Sequence, residues 1–348
     1  MKKGILILLI ACTGSALFAQ NDSKQSPFLT KSLSAQTVTE VEAETSGGNI
    51  SVESVAADQA RIEVYIWPSN RNKNSKISKE EIQKRLDELY DLKVDVAGNM
   101  LTAIAKPRHR NMNGKNSLSI SFKIFTNKNV ATHLATSGGN INLTELTGNH
   151  KITTSGGNLS IDHVKGKLNG VTSGGNIVIK DSDDDIDLTT SGGNVEASNC
   201  TGKMELVTSG GDIRLLNLDG DIKATTSGGN VRANDIKGEL NAHTSGGNIN
   251  MAGLACNLTT GTSGGNVTVS IKEPGKFIKL SNSGGKIDLE LPAGKGYDLD
   301  LAADKIKTGN LVNFSGKSDD NELRGTLNGG GTKVTADGGS GKIVLSFK

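Results

Sequence analysis

The five histidines are the first side chains to consider for metal binding or acid–base catalysis. They stand at positions 109, 133, 150, 163 and 243, and no two of them have the spacing of metal ligands. The sequence also contains no His-Glu-x-x-His motif and no paired Cys-x-x-Cys motifs. We therefore expect solvated surface histidines, and neither a metal ion nor a cofactor.

The acidic run Asp181-Ser182-Asp183-Asp184-Asp185 has carboxylates that calcium could use. It lacks the glycine and the closing glutamate of an EF-hand loop, so we interpret it as a solvated turn. P-loops are also absent from the sequence.

Arg214 and Arg232 stand eighteen residues apart, which is also the period of the repeat described below. Two cations stacked at this spacing could hold an anionic group, but no carboxylate pair accompanies them at the same repeat positions for acid–base work. We therefore predict a protein without enzymatic activity. The alternative is a polysaccharide-processing β-helix enzyme, which would need acids clustered on one face of neighbouring coils.

Basic and aromatic residues gather before the repeats. Phe, Tyr and Trp are absent from 127 to 276, whereas 69–116 carries 11 basic and 6 acidic residues. The candidate ligand-binding residues are Lys106, Arg108, Arg110 and Trp67. The alternative is a solvated basic loop beside a hydrophobic cap.

The motif TSGGNI dominates the rest of the chain. It occurs at residues 136–141 and recurs nearly unchanged from 154, 172, 190, 208, 226, 244 and 262. With the serine as position 1 of an eighteen-residue unit, positions 5 and 7 are apolar and position 6 is usually polar. Positions 10 and 14 are mostly apolar and position 12 is often glycine.

Alternation with β-branched residues and interruption by glycines favour strands over helices. Each unit should contain two short strands, near positions 4–8 and 14–18. A fixed period of this length is typical of solenoids, whose stacked coils share one core. The predicted fold class is all-β, a right-handed parallel β-solenoid (β-helix) with eighteen-residue coils.

The Ser-Gly-Gly-Asn segment is predicted to be a structural corner and not a repeated ligand contact. The glycine pair would permit positive φ, and the asparagines would form a ladder in which each amide bonds the next. The threonine before each serine should form a second, inward-facing ladder. The corner residues assigned in four units are Gly138, Gly139, Asn140, Gly156, Gly157, Asn158, Gly174, Gly175, Asn176, Gly192, Gly193 and Asn194.

The ends of the array are less regular. Thr45–Val52 is an outlying copy that should form the first coil, continued by Ile62, Val64 and Ile66. An insertion at 68–117 should contain a helix and a hairpin turning at Gly98-Asn99, since Ser78 and Glu81 resemble a capping box. This insertion either caps the solenoid or binds a partner. The C-terminal part should form the last coils with longer loops.

The first nineteen residues read as a secretory signal peptide, with two lysines, a short apolar run and a small residue at Ala19. In an alternative reading, Cys12 becomes the lipidated first residue of a lipoprotein. Residues 20–36 are then a linker and 37–348 a single solenoid domain. No later segment is apolar enough to span a membrane. Without Lys2 and Lys3 the chain has 37 bases and 37 acids, which does not favour nucleic-acid binding.

The two remaining cysteines are predicted to be free and buried. Cys200 and Cys256 lie about three coils apart, which corresponds to roughly 14 Å along the stack. A disulfide requires Cα atoms within about 7 Å.

The Thr-Ser-Gly-Gly-Asn-Ile units, a preceding segment Ser119-Ile120-Ser121-Phe122-Lys123-Ile124 and the signal peptide together resemble a bacterial family. This is the adhesin-like β-strand-repeat family of the head-GIN type, and the resemblance covers most of 37–348. It implies architecture only, because that family has no agreed activity and no catalytic residues to carry over. The helix-bearing insertion departs from the plain pattern of the family.

The predicted function is that of an exported envelope or cell-surface protein, in the periplasm or on the outer surface. It would act as an adhesin-like interaction or scaffold module. Its partner would be an envelope protein or a polysaccharide.

Overall fold

The computed structural model describes residues 26–69, 78–109 and 116–348. Within these ranges the protein is nearly all β, with 63% of the residues in strands and one α-helix. The predicted signal peptide, the alternative lipidation site Cys12 and residues 20–25 of the linker lie outside the described residues. No helix of the described part is long and apolar enough to cross a membrane.

The regular part of the chain alternates between two strands per repeat unit, as predicted. Its strands are β8 (Ala131–Thr136), β9 (Ile141–Thr144), β10 (Thr147–Thr153), β11 (Leu159–Asp162), β12 (Lys165–Thr172), β13 (Ile177–Lys180), β14 (Asp183–Thr190), β15 (Val195–Ser198), β16 (Thr201–Thr208), β17 (Ile213–Thr226), β18 (Val231–Thr244) and β19 (Ile249–Thr262). The second strand of a unit begins at position 11, which is earlier than predicted. In β17, β18 and β19 both strands of a unit run together.

From β8 to β18, paired strand residues lie opposite the residue eighteen positions further on, in parallel register. Leu159 lies opposite Ile177, and Leu168 lies opposite Ile186. Two stacks of strands result. We call them the pre-corner stack and the post-corner stack, because their strands precede or follow the Ser-Gly-Gly corner. The apolar side chains at positions 5, 7, 10 and 14 are buried between them, so neighbouring units share one core.

The glycine pair at the corner serves a different purpose from the one predicted. Neither Gly192 nor Gly193 has a positive φ. A Cβ atom on Gly193 would instead lie 2.0 Å from the carbonyl oxygen of Gly175 in the preceding unit, whereas one on Gly192 would lie 3.6 Å from its nearest neighbour. The second glycine is therefore required because two backbones approach closely.

Positive φ values occur at the opposite side of each unit. Six consecutive non-glycine residues at position 9 adopt φ between 51° and 56°: Glu145, His163, Asp181, Asn199, Asn217 and Asp235. Position 12 is also left-handed, with φ of 102° at Gly166 and 104° at Gly202. This turn explains why position 12 is often glycine.

The threonine ladder points inward, as predicted. The threonines at position 18 from Thr136 to Thr262 are buried. Their hydroxyls donate to the carbonyl of the second glycine of the preceding corner at 2.7–2.9 Å and accept the N–H of the second glycine of their own corner. The threonine hydroxyls therefore form hydrogen bonds with backbone groups and not with one another.

The asparagine ladder is only in part the predicted amide-to-amide chain, because the side-chain amide of Asn248 donates to Asn230 Oδ1 at 3.4 Å but most contacts go to the backbone. The Oδ1 atom of Asn140 accepts the backbone N–H of Asn158 at 2.8 Å, and the same contact repeats along the array. Asp212 can occupy this position because the contact needs only an acceptor oxygen, and its carboxylate accepts the N–H of Asn230 at 2.7 Å.

The N-terminal part adds strands to both stacks. Its elements are β1 (Leu29–Ser32), β2 (Glu40–Thr45), β3 (Ile50–Ser54), a 3-10 turn (Ala57–Gln59), β4 (Arg61–Pro68), α1 (Lys79–Leu89), β5 (Tyr90–Ala97), β6 (Met100–Pro107) and β7 (Leu118–Thr126). The outlying copy pairs in register with the array, since Thr45 lies opposite Thr136 and Ile50 opposite Ile141. However, β4 runs antiparallel to β7 and does not continue that coil.

The N-terminal end of the pre-corner stack is antiparallel, because β5 pairs with β6, and β6 lies beside β2. The post-corner stack ends in β1, which is antiparallel to β4. Helix α1 begins after Ser78, whose hydroxyl accepts the N–H of Glu81. The carboxylate of Glu81 pairs with Arg85, so the predicted reciprocal capping box is only half formed.

The C-terminal part does not stack in chain order. Its strands are β20 (Val267–Ile271), β21 (Phe277–Asn282), β22 (Lys286–Leu291), β23 (Tyr297–Ala302), β24 (Lys305–Thr308), β25 (Phe314–Ser318), β26 (Glu322–Leu327), β27 (Thr332–Asp337) and β28 (Lys342–Phe347). Strands β27 and β28 pair directly with β21 and β22, and the earlier strands β23 and β24 lie on their far side. Antiparallel β26 and β25 follow β23.

Both cysteines of the described part are free and buried, which confirms the prediction. Burial raises the pKa of the Cys200 thiol to about 11 and that of Cys256 to about 12. Both thiols are therefore protonated near pH 7.

Candidate functional site

A groove with a volume of about 620 Å³ lies at the N-terminal end of the protein. It is formed by α1, β5 and the start of β1. Its lining residues are Phe28, Leu29, Lys79, Gln83, Leu86, Asp87, Tyr90, Asp91, Leu92, Lys93 and Arg108. Its size falls in the range of small-molecule sites.

Arg108 is the predicted site residue that lines this groove. Its Nη2 atom lies 3.0 Å from Asp91 Oδ1, and its Nε donates to the carbonyl of Tyr90 at 3.1 Å. The side chain remains half-exposed. The groove therefore contains a guanidinium that is held in place from one side and reaches solvent on the other.

Two lysines outside the predicted set of site residues share the groove with Arg108. Lys79 is the first residue of α1, and its ammonium lies 5.4 Å from the ring centre of Phe28. Lys93 projects from β5 and is exposed. The predicted turn at Gly98-Asn99 sets the hairpin register that places β5 beside β6, so the approach of Asp91 to Arg108 was accessible from the sequence.

Tyr90 forms the floor of the groove and links the two stacks. Its hydroxyl donates to the carbonyl of Leu118 at 3.0 Å and accepts the N–H of Leu118 at 2.8 Å. Burial raises the pKa of this phenol. The backbone N–H and C=O of Leu118 both form hydrogen bonds with the Tyr90 hydroxyl, so Tyr90 has a structural role.

The structure does not bring all predicted site residues together. Lys106 lies on β6 and pairs with Glu44 at 2.8 Å, an interaction that raises the pKa of the lysine. Trp67 lies on β4, in the other stack, next to the nearly parallel ring of Tyr65 at 5.8 Å. Arg110 lies outside the described residues.

The side chains near Trp67 on β4 form a network of ion pairs, hydrogen bonds and ring contacts. Arg61 lies 3.8 Å from the ring centre of Phe125 and 2.7 Å from a Glu63 carboxylate oxygen. Tyr65 donates to the other oxygen of Glu63 at 2.8 Å. Burial acts to raise the pKa of Glu63, but these hydrogen bonds and Arg61 lower it overall.

The outward charges of the array are mostly paired between neighbouring units. Arg214 lies 3.8 Å from Glu196, and Arg232 lies 3.0 Å from Asp212, so the two arginines are neutralised by carboxylates. The interpretation of the acidic run as a solvated turn was wrong for its second half. Asp183 begins β14, where it pairs with Lys165 at 2.8 Å.

One mixed cluster on the array has donor atoms within 4.8 Å of one another, namely Asp162, His163 and Asp181. His163 Nδ1 lies 2.6 Å from Asp162, and Lys180 Nζ lies 3.0 Å from the other oxygen of that carboxylate. Asn199 donates to Asp181 at 3.1 Å. The protein's own groups already bond to both carboxylates.

His150 corrects the prediction of solvated histidines. It occupies apolar position 14 of its unit and is only 2% exposed. Its Nδ1 lies 3.0 Å from the hydroxyl of Thr132, while Nε2 has no hydrogen-bond partner among the described residues. Burial lowers the pKa of this imidazole to about 4, so the ring is neutral near pH 7.

No protein-family model matches this sequence, and no curated protein matches it. Two solved structures match along most of the chain. One is a proposed cell adhesion protein from Clostridium sporogenes, with 10% identity, a TM-score of 0.22, and coverage of 92% of this chain and 98% of the other. The second is a proposed adhesin from Bacteroides fragilis, with 14% identity, a TM-score of 0.24, and coverage of 91% and 96%.

Proposed function

We propose that this protein is an exported, non-enzymatic, right-handed β-solenoid that acts as an adhesin-like binding module of the bacterial envelope. The observation that carries the proposal is the distribution of charge. Carboxylates neutralise most outward cations of the array, whereas the N-terminal groove combines Lys79, Lys93 and Arg108 with only two aspartates. The array would be the scaffold, and the groove would receive the partner.

The eighteen-residue parallel register supports the solenoid. Every unit buries its apolar positions against the next, and every corner bonds its neighbours through threonine and asparagine side chains. Such an array is rigid and elongated, which suits presentation of a binding end at a distance from an attachment point.

Binding to isolated envelope polysaccharide and to purified envelope proteins, measured with the immobilised protein, tests the proposal. Arg108→Glu combined with Lys93→Glu should weaken binding at least tenfold. Raising the salt concentration should weaken wild-type binding, because the Debye length falls from about 10 Å at 0.1 M to about 3 Å at 1 M. Unchanged binding by a variant that melts like wild type would disprove a role for the groove.

The matched control is Arg214→Glu combined with Arg232→Glu on the array. Both side chains are exposed arginines in ion pairs, as Arg108 is. This variant should bind normally. Loss of binding in the control alone would place the site on the array.

One observation favours the enzymatic alternative. Asp187 and Glu205 lie opposite each other on β14 and β16. Burial, Glu205 and Asp185 raise the pKa of Asp187, while Glu205 is 2.6 Å from Lys223. A pair of neighbouring carboxyl groups, one of them with a raised pKa, is what glycoside hydrolysis uses. Release of reducing ends from envelope polysaccharide, abolished by Asp187→Asn, would establish this second function.

A further inference from the structure

The asparagine ladder ends in a column of lysines at the C-terminal end of the protein. Lys286 follows the last asparagine of the ladder, and its N–H donates to Asn266 Oδ1 at 2.9 Å. Lys286 lies opposite Lys342, and Lys342 lies opposite Lys305 on the next strand. Each of the three is the first residue of its strand, directly after a corner. Lys307 lies two residues further along the outermost of these strands.

The column is not required by the corner. A lysine side chain has no acceptor, so it cannot continue the ladder, and the N–H of Lys342 donates to the carbonyl of Gly285 instead. Neighbouring strands are about 4.8 Å apart, so three like charges repeat at this spacing. Like charges directly opposite each other destabilise a sheet.

Elsewhere in the array most lysines face a carboxylate, although Lys151 lies between His133 and Asn169. Lys203 lies between Asp185 and Asp221 in the strand register, and Lys237 lies beside Asp219. Opposite charges on adjacent units attract each other and neutralise the face. The column breaks this pattern.

The carboxylates near the column do not balance it. Asp288 pairs with Lys286 at 2.7 Å, and Asp304 precedes Lys305 in the chain. Within residues 116–348 no carboxylate lies within ion-pair distance of Lys305, Lys307 or Lys342. Burial lowers the pKa of Lys342, and so does the proximity of Lys307, Lys286 and Lys305. Asp288 acts in the opposite direction but does not reverse the shift.

We propose that Lys286, Lys342, Lys305 and Lys307 form a binding site for an acidic polysaccharide of the uronate type. A regular row of ammonium groups matches a polymer that carries one carboxylate per sugar. Binding would also relieve the repulsion between the lysines. The site goes beyond the proposed function, because it lies at the opposite end of the post-corner stack from β1 and β4, far from the N-terminal groove in the strand order.

Isothermal titration with polygalacturonate, and with neutral dextran as the uncharged polymer, tests this inference. Wild type should bind polygalacturonate and not dextran, and 0.5 M salt should weaken the binding strongly. Lys305→Gln combined with Lys342→Gln should weaken it at least tenfold. Lys305→Gln combined with Lys307→Gln changes only exposed side chains. This variant should also weaken the binding of polygalacturonate and should not alter the melting temperature.

Two control variants make the outcome decisive. Lys203→Gln combined with Lys237→Gln removes the same charge from the array and should leave binding intact. Arg108→Gln should also leave it intact. Failure of wild type to bind polygalacturonate, equal binding of dextran, or unchanged binding by both column variants would overturn the inference. If Arg108→Gln alone abolished binding, the N-terminal groove would be the site, and the proposed function would survive.

Discussion

At the residue scale, the two glycines of one corner have different roles, although the Gly-Gly motif gives no reason to distinguish them. Gly193→Ala should lower the free energy of unfolding by about 3 kcal/mol, because its methyl group would overlap the backbone of Gly175. Gly192→Ala is the matched control and should cost less than about 1 kcal/mol. Urea unfolding of the two variants checks this. Equal losses would show that close backbone approach is not the reason for the second glycine.

His150 gives the protein a pH-dependent stability that also belongs to the residue scale. Its pKa is about 4 in the folded protein and 6.5 for an ordinary histidine. Between these values the unfolded chain binds the proton more readily, so stability is complete above pH 6.5 and falls as the pH decreases. The loss from this group should be about 2 kcal/mol at pH 5.

His150→Leu provides the comparison, since leucine occupies the same position of the next unit at Leu168. Denaturant unfolding at pH 7 and pH 5 should show that this variant loses about 2 kcal/mol less than wild type on acidification. An identical pH dependence in both proteins would mean that His150 is not buried in the neutral form.

At the element scale, the threonine ladder joins each corner to the one before it. Thr190→Val keeps the shape of the side chain but leaves the Gly175 carbonyl and the Gly193 N–H without their partner. The expected loss is about 1–3 kcal/mol, since unsatisfied buried polar groups are costly. Thr189→Val, on the half-buried outer side of the same strand, should change stability little in the same thermal and urea unfolding measurements. A larger loss at Thr189 would contradict the inward ladder.

At the scale of the whole molecule, the eighteen-residue register predicts that one unit can be removed. Deletion of 191–208 joins two units whose apolar positions and corners match, so the shortened protein should keep its β-type circular dichroism and unfold cooperatively. Deletion of 191–199 shifts all following strands by half a unit and should prevent folding. A folded half-unit deletion would show that the stacks tolerate a change of register.

The regular part of the protein follows from the repeat in its sequence. The period located the strands, the alternation separated buried from exposed positions, and the spacing of Cys200 and Cys256 showed that they are free. These features are local, because each unit meets a near copy of itself eighteen residues away. The sequence predicted only some residues of the candidate site. Arg108 lies in the groove, but Trp67 lies on another stack, since the antiparallel pairing of β4 with β7 does not follow from the repeat.

Other features depend on which strands become neighbours, and these do not follow from the repeat. A steric requirement for Gly193 arises from a backbone that belongs to another unit. Burial of His150 arises from its place in an apolar column. The lysine column exists because β28 enters between β22 and β24, which places Lys342 between two lysines that are distant from it in sequence. The periodicity predicts which side chains of each strand face the core. The order in which irregular strands stack depends instead on the packing energy of the whole sheet.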